Sequence, residues 1–382
     1  MKHRAYLGAK VFDGECLRTG KALLLEGDAF LGIVASDEIS PKFQKIELSG
    51  GVLMPGFVDL QVNGGGGVMF NDETSVAGLK TIAKAHATMG TRALLPTLIT
   101  DTPERTRAAV ASVEQAIREK ISGIVGIHLE GPHLSLARKG AHDPQLIRKM
   151  DQADEDFLCD AAKRLPNVMV TIAPENVTTK QIARLSDAGV IVSLGHTDCS
   201  FAEAQAAFAA GAKCVTHLFN AMSQMGNREP GLVGATLQGG QISAGLIADD
   251  IHVHAAAMRT ALAAKRGPAA IFLVTDAMAT AGSEITEFML NGRRVLRQDG
   301  QLRLENGTLA GADLSFPSAL RVLIDKVGVG AERAYSMATS GPAKVLKNAR
   351  GYGVFSQGQP WNGIWLDAAG QNRALPQLVD AQ

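Results

Sequence analysis

Four apolar runs in this chain stop abruptly at an ionisable side chain. Ile124 to Leu129 ends at Glu130, Val190 to Leu194 at Gly195-His196, Cys214-Val215-Thr216 at His217, and Ile271 to Thr275 at Asp276. After Glu130 come Gly131 and Pro132, which end any regular strand or helix. A buried strand that carries a carboxylate or an imidazole to its C-terminal mouth is a poor way to fill a core. Two His, one Glu and one Asp in equivalent positions read as one metal-centred site.

Helical periodicity fills the gaps between apolar runs. Val76, Leu79, Ile82 and Ala83 mark one face of a helix over Ser75–Met89 that Gly90 stops. Asp101 or Thr102 caps a helix with Pro103 in its first turn. Further helices are expected over 151–165, 178–188, 200–210, 254–265, 314–326 and 331–339. Strands are expected near 57, 93, 124, 168, 190, 213, 242 and 271. Eight βα units predict a (β/α)8 TIM barrel, with an open doubly wound sheet as the alternative, and reactive residues at several strand ends favour the barrel. Asn291-Gly292 and Asp299-Gly300 mark a β-hairpin insertion over 284–307. Residues 64–67, four glycines in a row, lack the Lys-Ser/Thr of a phosphate loop and read as a flexible turn. Short strands with tight turns occupy both ends of the chain. They predict a small β-sandwich domain from 1–53 and 343–382 around a catalytic barrel at 54–342.

The chain has 382 residues, 38 basic and 38 acidic, so its zero net charge gives no support for a nucleic-acid or membrane partner. The four cysteines are far apart and form no C-x-x-C pair, which points to free thiols in a reducing compartment. Gly8, Lys10 and Asp13 break up the start of the chain too soon for a signal-peptide core, and no run of 18 apolar residues occurs. A cytoplasmic protein is expected.

A catalytic zinc takes three protein ligands and keeps one open position, and Glu130, His196 and His217 supply such a set. The H-E-x-x-H helix of metalloproteases is absent. Asp276 is the candidate proton carrier beside a metal-acidified water; its bland reading is a helix cap.

Pro55-Gly56-Phe57-Val58-Asp59, His128-Leu129-Glu130-Gly131-Pro132, Gly195-His196-Thr197, Thr216-His217-Leu218-Phe219-Asn220-Ala221-Met222 and Thr275-Asp276-Ala277 together resemble the N-acetylglucosamine-6-phosphate deacetylases of the amidohydrolase superfamily. The resemblance runs over nearly the whole chain. It implies Glu130, His196 and His217 as metal ligands and Asp276 as general base and acid. Water on the metal would attack the acetamide carbonyl, and Asp276 would protonate the departing amine. Acetate and D-glucosamine 6-phosphate would result, a step of amino-sugar catabolism. His142 matches a histidine that polarises the carbonyl. Ala141, Asn220, Ala221, Arg228, His252, Leu309, Ala310 and Gly311 match substrate-contacting positions, and Gln61 is counted with them.

For the phosphate, the resemblance implies backbone N–H groups at Asn220-Ala221, the Arg228 fork and His252. It places the arginine in a neighbouring subunit, hence a homodimer or homotetramer. Gln61-Val62-Asn63 stands where many superfamily members carry His-x-His and bind two metals. Amides are poor zinc ligands beside imidazole, so one divalent ion per subunit is expected, zinc first, with iron or another divalent ion as alternatives. The competing readings are a cyclic-amide hydrolase or deaminase acting on an unphosphorylated ring, and a barrel that has lost its chemistry. Arg228 and His252 speak against the first, and the full ligand set with a base against the second.

Overall fold

The computed structural model describes residues 2–376. Eight parallel strands form one sheet in chain order: Phe57–Val62, Thr91–Ile99, Ile127–Glu130, Val168–Ile172, Ile191–Leu194, Cys214–Val215, Ser243–Leu246 and Ile271–Leu273. The ring closes between the first and eighth through an isolated parallel bridge, Val62 to Ala277. At this seam the Asp276 amide donates to the Gln61 carbonyl (3.1 Å) and the Asn63 amide to the Ala277 carbonyl (2.8 Å). The wholly buried Asp59 carboxylate ties the same two strands, accepting from the amides of Gln61 and Thr275 and from the Thr275 hydroxyl. The architecture is the (β/α)8 barrel that the alternation of periods predicts.

The first, third and fourth strands are buried at every position, as strands with helices outside and side chains inside must be. Helices show the complementary pattern. Thr179–Asp187 buries Ile182 and Leu185 on one face, and Thr178 with Gln181 forms its capping box, a cap worth about 1 kcal/mol. The barrel interior also holds a satisfied polar layer. His128 donates from Nδ1 to the Leu60 carbonyl (3.0 Å), so Nε2 accepts from the Thr171 hydroxyl (2.7 Å). Thr171, Thr216 and Ser193 extend it through two further 2.7 Å hydrogen bonds.

Four features depart from expectation. A buried helix, Gly231–Gln238, follows the sixth strand. It is covered nearly all round, so no amphipathic stripe announces it. The helix expected over 314–326 is Phe316–Arg321, continued by wider π-type turns over Val322–Val327. The insertion is a four-stranded antiparallel meander, Glu287–Leu290, Arg293–Gln298, Gln301–Leu304 and Leu309–Ala312, two strands more than a hairpin. Asn291-Gly292 and Asp299-Gly300 make its first two turns, all four residues at positive φ. The glycine run is a packed turn instead of a flexible one. Gly64 and Gly65 pair with Val68 and Met69, and the amides of Gly66 and Gly67 donate to Ala281 and Ala279 (2.7 and 2.8 Å). His86 Nε2 donates to the Gly64 carbonyl at 2.9 Å.

Beside the barrel lie two smaller sheets. One has strand order Ala29–Ala35, Lys21–Glu26, His3–Leu7, Gln44–Glu47; the other Asn372–Arg373, Gly363–Leu366, Val52–Pro55, Lys10–Phe12, Leu17–Arg18. Tyr6, Val11, Leu23, Leu25, Leu53 and Trp365 form an apolar cluster drawn from both. Residues 377–382, part of the C-terminal segment expected there, lie outside the described residues, as does Met1.

Gly90 sits at φ +102° with the Phe57 ring 2.9 Å from where a Cβ would stand. Gly90→Ala should cost about 2–3 kcal/mol from the strained backbone and the clash, read as a lower denaturation midpoint with an unchanged slope. A variant within about 0.5 kcal/mol of wild type would show that the helix-to-strand turn relaxes freely.

Candidate active site

The ends of the first, third, fifth, sixth and eighth strands converge at the floor of a cleft of about 390 Å³. Glu130 Oε1 lies 3.1 Å from His217 Nε2 and 3.3 Å from His196 Nε2, and the two Nε2 atoms are 3.1 Å apart. His196 donates from Nδ1 to the Arg138 carbonyl (2.8 Å), which turns the Nε2 lone pair inward. His217 Nδ1 is buried without a partner among the described residues. Two imidazole nitrogens aimed at each other beside a carboxylate, all buried, need a positive charge between them. That arrangement fits a divalent cation. Glu130, His196 and His142 also each offer a donor atom within 4.8 Å of one another.

His142 is fixed differently. Its ring accepts at Nδ1 from the Thr100 amide (3.3 Å), with the Thr100 hydroxyl 2.7 Å from the same nitrogen. An accepting Nδ1 leaves the proton on Nε2. Burial first, then the neighbouring His196, holds His142 well below the usual histidine range, so the ring is a neutral N–H donor. Its edge meets the His196 ring at a centroid distance of 4.3 Å.

Asp276 accepts on Oδ1 from Asn63 Nδ2 (2.7 Å) and Gln61 Nε2 (3.1 Å). The Gln61 amide also lies 3.2 Å from each Glu130 oxygen, so Gln61 is a strut beneath the cleft. Burial, reinforced by the Glu130 charge, pushes the Asp276 carboxyl up to about 6. Burial works to lower His217, but the Glu130 hydrogen bond and the charges of Glu130 and Asp276 together raise it. Burial works to raise Glu130, but the two imidazoles facing it together hold it well below the carboxylate range.

The chain is bent hard to present these groups. His196, His217, Phe219, Ala221 and Asp276 all have positive φ, between 29° and 79°. Such conformations cost on the order of 1 kcal/mol each and occur where surrounding structure enforces them.

Ala141, His142, Asn220, Ala221, His252, Leu309 and Gly311 line the cleft. Ala310 does not: it is fully buried in the apolar cluster where the meander packs on Met69, Ile99 and Met278. Arg228 is exposed and lines no part of its own chain's cleft. The Asn220 N–H donates to the His217 carbonyl (2.9 Å), so of the two amides expected for a ligand only that of Ala221 stands free among the described residues. Sequence reasoning missed Thr100, Arg138 and Asn63. Asn63 had a signal, its place in Gln61-Val62-Asn63, but was weighed only as a ligand.

A model of the amidohydrolase family matches residues 52–380. The chain belongs to the amidohydrolase family. Among its relatives, an N-acetylgalactosamine-6-phosphate deacetylase of Shewanella sp. (strain ANA-3) is 41% identical over 320 residues, 84% of this chain and 80% of that one. An N-acetylglucosamine-6-phosphate deacetylase of Haemophilus influenzae is 34% identical over 328 residues, 85% of each. The crystal structure of N-acetylglucosamine-6-phosphate deacetylase from Pasteurella multocida superposes with a TM-score of 0.91 at 33% identity, covering 97% of each chain. A mutant deacetylase from Mycobacterium smegmatis, in complex with N-acetyl-D-glucosamine-6-phosphate, superposes at 0.88 with 30% identity over 97% of each chain.

In this amidohydrolase Asp276→Asn keeps the acceptor oxygen for Asn63 and removes the titrating one. Turnover should fall on the order of 10³-fold with metal content and melting temperature nearly unchanged. If the ionised Asp276 carboxylate is the proton acceptor, its pKa of about 6 makes the wild-type rate fall as pH drops below about 6. A bound cation moves this limb lower still. Surviving activity in Asp276→Asn, or an acid limb above about pH 7, would assign proton transfer to another group.

Proposed function

We propose that this amidohydrolase is a metal-dependent deacetylase that hydrolyses the acetamide of N-acetyl-D-glucosamine 6-phosphate to D-glucosamine 6-phosphate and acetate, in amino-sugar catabolism. The observation that carries the proposal is the meeting of Glu130, His196 and His217 within 3.3 Å, beside an Asp276 braced by two amides. A divalent cation held by these three side chains, zinc first, would supply Lewis acidity and a more acidic water at neutral pH. His142 is left out of the ligand set because its Nε2 carries a proton. That proton is placed to hold the acyl oxygen as negative charge develops there. Asp276 takes a proton from the attacking water on its free oxygen and returns it to the amine nitrogen as the C–N bond breaks.

The phosphate is assigned to the far side of the cleft, at the Ala221 amide and His252, with Leu309 and Gly311 along the sugar. Arg228 stands outside its own cleft, as an arm serving a second copy would, so we propose a homodimer or homotetramer. The terminal segments 1–53 and 343–382 are proposed as one small domain beside the barrel at 54–342. No helix among the described residues is long and apolar enough to cross a membrane, and a cytoplasmic site of action is proposed. A second reading, the galacto epimer of the same substrate, is favoured by the 41% identity to the Shewanella sp. deacetylase.

Acetate release from both phosphorylated epimers and from plain N-acetylglucosamine, with metal analysis of the same sample, tests this reading. Release from a phosphorylated sugar alone, with about one metal per chain, is expected. No release from either epimer by metal-loaded protein would move the search to cyclic amides and aminated rings. Arg228→Ala should raise KM for the phosphorylated sugar about 10- to 100-fold, the worth of a lost charge-assisted hydrogen bond. An equal change for the plain sugar would remove Arg228 from phosphate recognition.

A further inference from the structure

The loop after the seventh barrel strand holds a buried carboxylate that the reaction does not use. Asp249 accepts on Oδ1 from the amides of Ile251 (2.9 Å) and His252 (2.8 Å), and on Oδ2 from the His252 ring at 2.6 Å. Both side chains are only 8% exposed. The rest of the loop is tied elsewhere: Asp250, at φ +63°, accepts from the Ala255 amide (2.8 Å) and pairs with Lys326 (2.9 Å). One oxygen of Asp249 therefore shapes the turn, and the other serves the imidazole alone. Burial would push the Asp249 carboxyl up, but the hydrogen bonds from His252 and the two amides hold it below the carboxylate range.

His252 lines the cleft, and its Nε2 has no protein partner among the described residues. Opposite an ionised carboxylate, Nδ1 must carry a proton. A neutral ring would then turn a lone pair toward the cleft, which repels a phosphate oxygen. The form that can donate to an anion is the doubly protonated one, and a carboxylate behind the ring is the partner that stabilises it.

We infer that Asp249 is a positioning residue for phosphate recognition: it aims His252 and makes it a charged donor at Nε2 for the phosphate of the substrate. This rests on the phosphorylated-sugar reading of the cleft and deepens it, adding a second ionic partner behind the group that touches the ligand.

The test is a double-mutant cycle on the metal-loaded, full-length protein. Asp249→Asn keeps the turn acceptor but turns the oxygen behind the ring into a donor, leaving His252 neutral. KM for the phosphorylated sugar should rise about tenfold, since a charge-assisted hydrogen bond is roughly twice as strong as a neutral one, while kcat stays within about twofold. Competitive inhibition by inorganic phosphate should weaken in parallel. In a His252→Gln background, Asp249→Asn should add nothing, because the group it acts through is gone. Additive losses, a matching fall in kcat, or a KM equal to wild type would each overturn the inference. If Asp249→Asn does not fold, Asp249→Glu carries the cycle: KM should rise less than in His252→Gln and add nothing to it, and additivity overturns the coupling. A wild-type protein that releases no acetate from either phosphorylated epimer overturns the functional reading itself, and this inference with it. An active wild type with an indifferent Asp249 removes the inference alone.

Discussion

Two imidazole nitrogens 3.1 Å apart, facing a carboxylate in a buried pocket, are the constraint on which the site turns. Lone pairs in that arrangement repel unless positive charge lies between them, and desolvation makes the repulsion stronger than in water. The fold is what keeps them there. Glu130 closes its strand level with Ser193 and Cys214, and the chain runs three residues further on each of those two paths to His196 and His217, which turn back toward the carboxylate. The Arg138 carbonyl settles which nitrogen of His196 looks inward. The left-handed backbone at His196 and His217 aims the rings. A barrel can sustain such local cost because the ladders on both sides of each strand over-determine it.

The neighbouring machinery is divided by position on the ring. The third, fifth and sixth strands lead to Glu130, His196 and His217. The first and eighth lead to Asp276 and its amide braces, Gln61 and Asn63. His142 comes from the loop after the third strand and is held by Thr100, just past the second. The meander inserted after the eighth strand closes over the cleft with Leu290, Thr308, Leu309 and Gly311. The supports are scattered, the Arg138 carbonyl for His196, Thr100 for His142 and the side-chain amides of Gln61 and Asn63 for Asp276, so no single loop carries the site.

The fold was legible wherever one period dominated. All eight barrel strands follow the apolar runs, because a strand buried on both faces reads as a continuous hydrophobic stretch. Gly231–Gln238 escaped because a fully covered helix has no polar face. The Gly64–Gly67 turn was misread because glycine signals freedom in isolation, whereas here it allows close approach to 277–281. In the site, the residues at strand ends stood out from local sequence. The ones that hold them did not. Thr100 and Arg138 act partly through main-chain atoms, which are the same in every residue type. Asp249 does act through its side chain, but its carboxylate is unremarked in sequence until the turn folds the ring of His252 back onto it. Ala310 was taken with its neighbours as lining, although alternate residues of a strand face opposite ways.

The ring is closed by a single bridge, a few main-chain hydrogen bonds between 61–64 and 276–277, and the Asp59 carboxylate on Thr275, where the other strands are joined by ladders. Gln61 and Asn63 of this seam also brace the Asp276 carboxylate through their side chains. A shift of this backbone therefore disturbs the closure of the ring and the setting of Asp276 together. A substitution confined to the Asp276 side chain leaves that main-chain fastening in place, whereas one that displaces the backbone of 61–64 loosens barrel and site at once.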